Sequence, residues 1–296
     1  MNKVVKIIIT ILVIFLTIFL FKEIKNYKIT KLLTDNYEQK FYINELYKSK
    51  EINYRLLDDK DKKLYENIIN NILNYNTSFN INMNNYDYDL DSLYFDKIDE
   101  IVSDIFMDHP ELIYVGIVSM SKQNGSKLVT VSPNYLMSKE EYEKNILEIK
   151  TIIEEVKNNT KDLNEYKKVK YVYDYIGKKN KYGNTKDSMA QSAYSAFNSE
   201  LSPVCAGYAK ASQILFNNIG ITSLLVYGDA KYALFLGDAH AWNNVSIEGK
   251  YYLFDVTMSS NLEGKEFYRG FLIDDKKHSP SNKKATPNLN GKKYKK

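Results

Sequence analysis

The hydrophobic pattern of the chain divides it into a uniformly apolar start and a body whose apolar positions recur with a period. Residues Ile7 to Phe21 (IIITILVIFLTIFLF) carry no charge and have no polar face. From Tyr27 to about Tyr75 the pattern is helical; Leu64, Ile68, Ile69, Ile72 and Leu73 recur at helical spacing. Residues 74–91 are rich in Asn and Asp and read as a loop. Leu93 to Met107 predicts a helix ending at Asp108-His109-Pro110, because a residue before proline avoids helical angles. His109 then reads as a helix-end residue near the last carbonyls.

Leu112 to Val118 and Lys127 to Val131 predict two strands, joined by Gln-Asn-Gly-Ser with its Asn-Gly turn signal. Ser138 followed by Glu141 is a capping-box pattern that opens a helix to about Lys157. Tyr166 to Ile176 predicts another helix, and residues 177–187 a polar connection. No internal repeat is visible.

Two stretches near the C-terminus carry the chemistry. In SPVCAGYAKASQILFNNIG, Ser202 suits an N-cap and Pro203 the first helical position, with Gly220 as the stop. Cys205 then falls in the first turn. By itself the thiol reads first as a small buried hydrophobe. Its placement changes that reading. The positive end of a helix favours a thiolate, and first-turn N–H groups lack intrahelical acceptors. The Cys205 N–H is therefore available to an oxyanion formed when sulfur attacks a carbonyl. Gly207 and Ala209 are small enough to let the helix pack closely on a neighbour.

In GDAHAWNNVSIEGKYYLFDVT, alternation on both sides of Glu248-Gly249 predicts a β-hairpin. A two-residue loop pairs Ile247 with Lys250 and, by continuation, Trp242 with Asp255. His240 is then diagonal to Asp255 on the same face, about 7–8 Å away at Cα. Asp255 in an aromatic strand needs a partner, and an imidazole N–H supplies one. Taken singly, Asp255 also reads as a salt-bridge or capping residue, His240 as a half-buried histidine and Trp242 as core. Taken together, Cys205 reads as nucleophile, His240 as general base and then acid, and Asp255 as the group that orients the imidazole.

Composition narrows the remaining classes. The 296 residues include one cysteine, which excludes an intramolecular disulfide and a cysteine-based zinc site. The three histidines, His109, His240 and His278, show no ligand spacing, so no metal is expected. No cofactor motif is present, and none is expected. A net charge of +4, concentrated at the two ends, does not make a nucleic-acid surface. Lys3 and Lys6 precede the apolar run, which is somewhat shorter than the roughly 20 residues that span a bilayer. The FKEIKNYK that follows lacks the small residues of a cleavage site, so the segment reads as an uncleaved signal anchor. Lysines after it outnumber those before it, which by the positive-inside rule favours a cytoplasmic body; we nonetheless expect an extracytoplasmic one.

PVCAGYAKASQILFNNIGI, DAHAWNNVSIEGKYYLFDVT and FYRGFLIDDKKH resemble the transglutaminase-like superfamily, in particular its bacterial cysteine-peptidase branch. The matching positions are Cys205, Gly207, Tyr208 and Ala209 in C-x-G-Y-A, His240 to Asn243 in H-A-W-N, and Asp255 to Thr257 in D-V-T. The likeness spans about residues 167–278, and DHPELIYV (108–115) resembles an upstream segment of the same branch. It implies a papain-like α+β fold with the cysteine helix packed on an antiparallel sheet. Three features depart from it, the first being SELSP (199–203) before Cys205 in place of a more usual G-K-A/G run. Ala206 stands where an acidic residue is common, and no glutamine lies just ahead of Cys205 to donate to an oxyanion. Gln191 can take that role if the chain folds back, and otherwise reads as a capping or surface residue.

The expected plan is a signal anchor (1–26), a mainly helical region with a hairpin (27–165), a catalytic core (166–278) and a basic tail (279–296). The expected activity is acyl transfer on protein or peptide amides through a thioester, by hydrolysis or by crosslinking, at the membrane. An inactive domain that binds peptides or cell-wall material is the alternative. A cytoplasmic acetyltransferase of the arylamine type is a more distant one.

Overall fold

A computed structural model describes residues 3–86, 88, 93–230, 239–274, 277–292 and 294. Parts of three predicted segments lie outside the described residues: the end of the 74–91 loop, Gly237-Asp238 ahead of the hairpin, and several lysines of the tail.

Helix α1 (Lys3–Thr34) carries the apolar run and continues past it. By length and composition it can cross a membrane, which is compatible with a single-pass anchor and with a signal sequence. Its last turns dock on the body. Asn26 Nδ2 donates to Asn288 O at 3.0 Å and its Oδ1 accepts from Asn288 N at 2.7 Å. Ile29 is buried, and Leu32 and Leu33 pack against Ile52, Leu224, Val226, Trp242 and Leu253.

The predicted helical stretch from Tyr27 to Tyr75 is broken. Residues 35–51 are irregular, followed by α2 (Ile52–Leu56) and α3 (Asp59–Leu73). Glu51 explains the break. Its carboxylate accepts from the backbone N–H of Lys40 (2.9 Å) and Phe41 (2.7 Å) and from the Tyr37 hydroxyl, which folds that segment back on itself. Strand β1 (Phe79–Asn82) forms within the segment read as a loop. Helix α4 (Tyr94–Asp108) ends as its proline requires. Strands β2 (Val115–Lys122) and β3 (Leu128–Tyr135) form the Asn-Gly hairpin, and β1 pairs with β3. The Ser138–Glu141 capping box opens α5 (Lys139–Thr160).

His109 is not a solvated helix end. It is fully buried, with Nδ1 3.1 Å from Glu111 Oε1 and Nε2 3.8 Å from Glu51 Oε1. Next to it, Asp108 Oδ1 accepts from Asn53 N, and its Oδ2 from Tyr54 N and the Tyr65 hydroxyl. This knot ties the start of α2 and the middle of α3 to the end of α4.

Helices α6 (Glu165–Lys179), α7 (Tyr194–Phe197) and α8 (Cys205–Asn218) precede the second sheet. That sheet contains β4 (Ser223–Ala230), β5 (Ala239–Ile247), β6 (Lys250–Phe254), β7 (Phe271–Ile273) and β8 (His278–Pro280), in the order β7-β6-β5-β4-β8, all antiparallel. The fold is thus α+β with the cysteine helix on an antiparallel sheet. Small side chains make that packing possible: Ala206 and Ala209 of α8 meet Leu225 and Ala241 of the sheet. Asn243 Nδ2 fixes it by donating to Ala209 O (3.1 Å) and Gln213 Oε1 (3.2 Å).

Candidate active site

Helix α8 starts later than its sequence suggests. Its N-cap is Val204 and Cys205 is the first helical residue, whereas Ser202 and Pro203 lie outside it. Backbone bonds hold the approach extended: Gly183 N donates to Pro203 O at 2.9 Å and Val204 N to Ala190 O at 3.0 Å. Cys205 stays in the first turn. The fit around it is tight. A Cβ on Gly207 would lie 2.6 Å from Ala190 O and 2.7 Å from Ser195 Oγ, so only glycine lets α8 approach residues 190–195 this closely. Those contacts fold the chain back and bring Gln191, in a short 3-10 helix, onto the wall of the cavity that Cys205 lines.

The β5–β6 hairpin has the predicted register: Ile247 pairs with Lys250 and Asn243 with Phe254. Glu248 and Gly249 both have positive φ (50° and 74°), the geometry of a two-residue turn matched to the strand twist. Asp255 follows directly after β6. His240 Nε2 lies 2.8 Å from Asp255 Oδ2, and both side chains are buried. Asp255 Oδ1 accepts from Thr257 N at 3.0 Å, which orients the carboxylate as the chain enters the 3-10 helix 256–259.

The electrostatics follow from this contact. Burial works against the His240 imidazolium, but the Asp255 carboxylate and then the Cys205 sulfur outweigh it, pushing its pKa up to about 10. Burial alone would raise Asp255, yet His240 and then His278 hold its carboxyl well below the usual carboxylate range. With Nε2 on the carboxylate, Nδ1 is the ring nitrogen left for the Cys205 sulfur, which also favours the imidazolium.

Sequence spacing gave no sign of His278. Strand β8 pairs with β4 and carries His278 Nε2 to 3.4 Å from Asp255 Oδ2, the oxygen that His240 already uses. Trp242 packs beside the two imidazoles, 6.1 Å from His240 and 4.8 Å from His278 between ring centroids, while the imidazoles are 5.7 Å apart. It is buried and so keeps water from the pair. Ligand atoms of His240, Asp255 and His278 all lie within 4.8 Å of one another, and among the described residues this is the set that could hold a metal ion. Tyr182 was also missed. Burial and then the Cys205 sulfur raise its phenol well above the usual range, against an opposing contribution from the Cys205 backbone. Tyr208 is buried in the main core, its hydroxyl 3.5 Å from Ser260 Oγ.

Residues 150–256 match the model of the transglutaminase-like superfamily, a span that takes in Cys205, His240 and Asp255. Among solved structures, the chain is similar to a putative cysteine protease from Cytophaga hutchinsonii (14% identity, TM-score 0.34, 56% of this chain and 65% of that one). It is also similar to a TGase (16% identity, TM-score 0.36, 64% of this chain and 54% of that one). The chain therefore spans less than two thirds of either structure. A comparison with curated proteins gave no match.

Proposed function

We propose that the protein is a membrane-anchored thiol enzyme that transfers acyl groups from protein or peptide amides through a Cys205–His240–Asp255 triad. The observation that carries this reading is the buried 2.8 Å contact between His240 and Asp255, on a cavity that Cys205 and His240 both line. A carboxylate inside an aromatic hairpin is costly unless it serves a cation. Here that cation is an imidazole turned toward the chain's only thiol.

In the proposed reaction the Cys205 sulfur attacks the amide carbonyl carbon. The carbonyl oxygen takes the developing charge. The Gln191 side-chain amide and the Cys205 N–H, both on the cavity, are the donors assigned to it here. His240, protonated at neutral pH, gives its proton to the departing amine as the C–N bond breaks, leaving a thioester. Water or an amine then adds to the thioester carbonyl, and the imidazole removes the proton of that nucleophile. The sulfur leaves as thiolate. Asp255 keeps its charge throughout and holds Nε2–H in place. A group resolved by water gives hydrolysis, and one resolved by lysine gives a crosslink. Helix α1 would tether the body at the membrane, on its outer face.

Alkylation by iodoacetamide tests the triad, since Cys205 is the only thiol. The full chain in detergent micelles should react readily at pH 6, and His240→Ala and Asp255→Asn should slow that reaction at least about tenfold. Equal rates in all three would make the constellation a relic and favour a peptide- or wall-binding module. Amine incorporation measured against peptide hydrolysis then separates the two outcomes of the thioester.

A further inference from the structure

Next to Cys205 lies a cavity of about 410 Å³ whose far wall the triad does not use. Ala206 and Lys210 of α8, Ser103 and Phe106 of α4 and Tyr227 of β4 line it. Its volume falls in the range of small-ligand sites, about 300–1,000 Å³.

Lys210 is the unusual member. It is 5% exposed, and its Nζ sits 4.7 Å from the centroid of the Phe106 ring. Among the described residues no carboxylate lies within ion-pair distance of that ammonium. An unpaired buried charge is costly, and proteins ordinarily pair it or neutralise it. Burial lowers the Lys210 pKa to about 8, so most of the charge survives at neutral pH. The other titratable groups on the cavity are Cys205 on α8, His240 on β5, and Tyr227 and Asp229 on β4; α4 contributes none. His240 is itself cationic, Tyr227 is held far above its usual range by burial, and the exposed Asp229 does not reach Nζ.

The chain also forgoes an internal partner. Ala206 precedes Lys210 by four residues and lies on the same wall. A glutamate there would be placed for an i,i+4 ion pair. With alanine instead, the cavity has a cation, an aromatic support and room; among the described residues only the Cys205 sulfur favours the ammonium, and no carboxylate does, which leaves a place for one brought by a ligand.

We propose that Lys210 makes this cavity a carboxylate subsite, so that the preferred substrate carries a carboxylate within one or two residues of the amide that Cys205 attacks. The proposal rests on the acyl-transfer reading for the position of that amide. A chain-terminal carboxylate and an acidic side chain supply the same chemistry and are distinguished below.

Binding to the full-length Cys205→Ala protein in detergent micelles at pH 7, followed by calorimetry, tests it without requiring any reaction. Three peptides serve as probes: N-acetyl-Ala-Gln-Ala as the free acid, the same peptide as its C-terminal amide, and N-acetyl-Ala-Gln-Glu amide. One of the two carboxylate peptides should bind about 10–100-fold tighter than the neutral one, and which does so identifies the source. That preference should vanish in Lys210→Met, which keeps an aliphatic chain on Phe106. It should also vanish in Ala206→Glu, which keeps Lys210 and supplies an internal counter-ion. Equal affinities for acid and neutral peptides, no binding of any probe at millimolar concentration, or a preference that survives both substitutions would each overturn the subsite. Loss of Cys205 reactivity to iodoacetamide would instead overturn the triad, so the two readings fail separately.

Discussion

His278 Nε2 lies 3.4 Å from Asp255 Oδ2, so the carboxylate that orients His240 is shared with a second imidazole. In the proposed mechanism His278 would act through Asp255, as a positioning residue. His278→Gln should leave the alkylation of Cys205 by iodoacetamide within about threefold of the parent, while Asp255→Asn costs far more. In a turnover assay it should lower kcat about tenfold and leave KM nearly unchanged, since a hydrogen bond to a charged group contributes about 1.5–3 kcal/mol. A KM effect without a kcat effect would place His278 in substrate binding instead.

The same three residues are placed to ligate a cation, which makes chelation informative. Both imidazoles direct Nε2 at one carboxylate oxygen, the arrangement of two donors on one acceptor. EDTA should therefore leave Cys205 alkylation and its pH profile unchanged. Loss of reactivity on chelation, restored by zinc, would make the cluster a metal centre.

Stability should report the His240–Asp255 pair directly. The folded pKa of His240 is raised from 6.5 to about 10, so its contribution is complete below pH 6.5 and fades as pH rises toward 10. The folded pKa of Asp255 is depressed below 3.8, so its contribution is complete above that value and fades as pH falls further. The two windows overlap between about pH 4 and 6.5. Asp255→Asn should cost about 3–5 kcal/mol there, the scale for breaking a buried pair, and progressively less between pH 7 and 10. Chemical denaturation across pH 4–10 measures this. A flat difference would mean that His240 is neutral in the folded protein.

A buried knot outside the site invites the same treatment. His109 sits between Glu111 and Glu51 with no exposed surface, and their charges overcome burial to raise its pKa. His109→Phe fills the space but leaves two buried carboxylates facing each other. The expected loss is about 3–5 kcal/mol, with the alkylation rate of Cys205 unchanged in the protein that remains folded. A loss below about 1 kcal/mol would show that the His109 imidazole adds no charge pairing to this knot.

Periodicity and turn chemistry made much of this fold legible. The Glu248-Gly249 turn fixed the β5–β6 register, and with it the approach of His240 to Asp255, from local residue types alone. The Ser138–Glu141 box and the proline after His109 marked helix ends for the same reason. The missed features all depend on contacts distant in sequence. Ser202-Pro203 looks like a helix start, but bonds to Gly183 and Ala190 keep the segment extended. Residues 35–51 look helical until Glu51 gathers their N–H groups. His278 reaches Asp255 only because β8 adds to the edge of β4, and a three-residue strand leaves no periodic signal.

The docking of α1 gives the last test, because it joins the apolar N-terminal helix to the face of the site's sheet opposite α8. Asn26 bonds to Asn288, Thr30 to the Tyr251 hydroxyl at 2.8 Å, and Ile29, Leu32 and Leu33 meet the cluster that holds Trp242. A chain starting at Lys22 keeps all of these contacts, and one starting at Asp35 keeps none. The shorter chain exposes apolar surface around Leu224 and Val226 and should lose about 2–4 kcal/mol. That corresponds to a Tm roughly 5–15 °C lower. Trp242 is the only tryptophan, so its emission should shift to the red in the shorter chain and not in the longer one. Identical Tm and emission in both would mean that α1 ends, in function, where its apolar run ends. A difference would show that helix α1 is part of the body it docks on, holding the sheet from the side opposite α8 and so steadying the strand that carries His240.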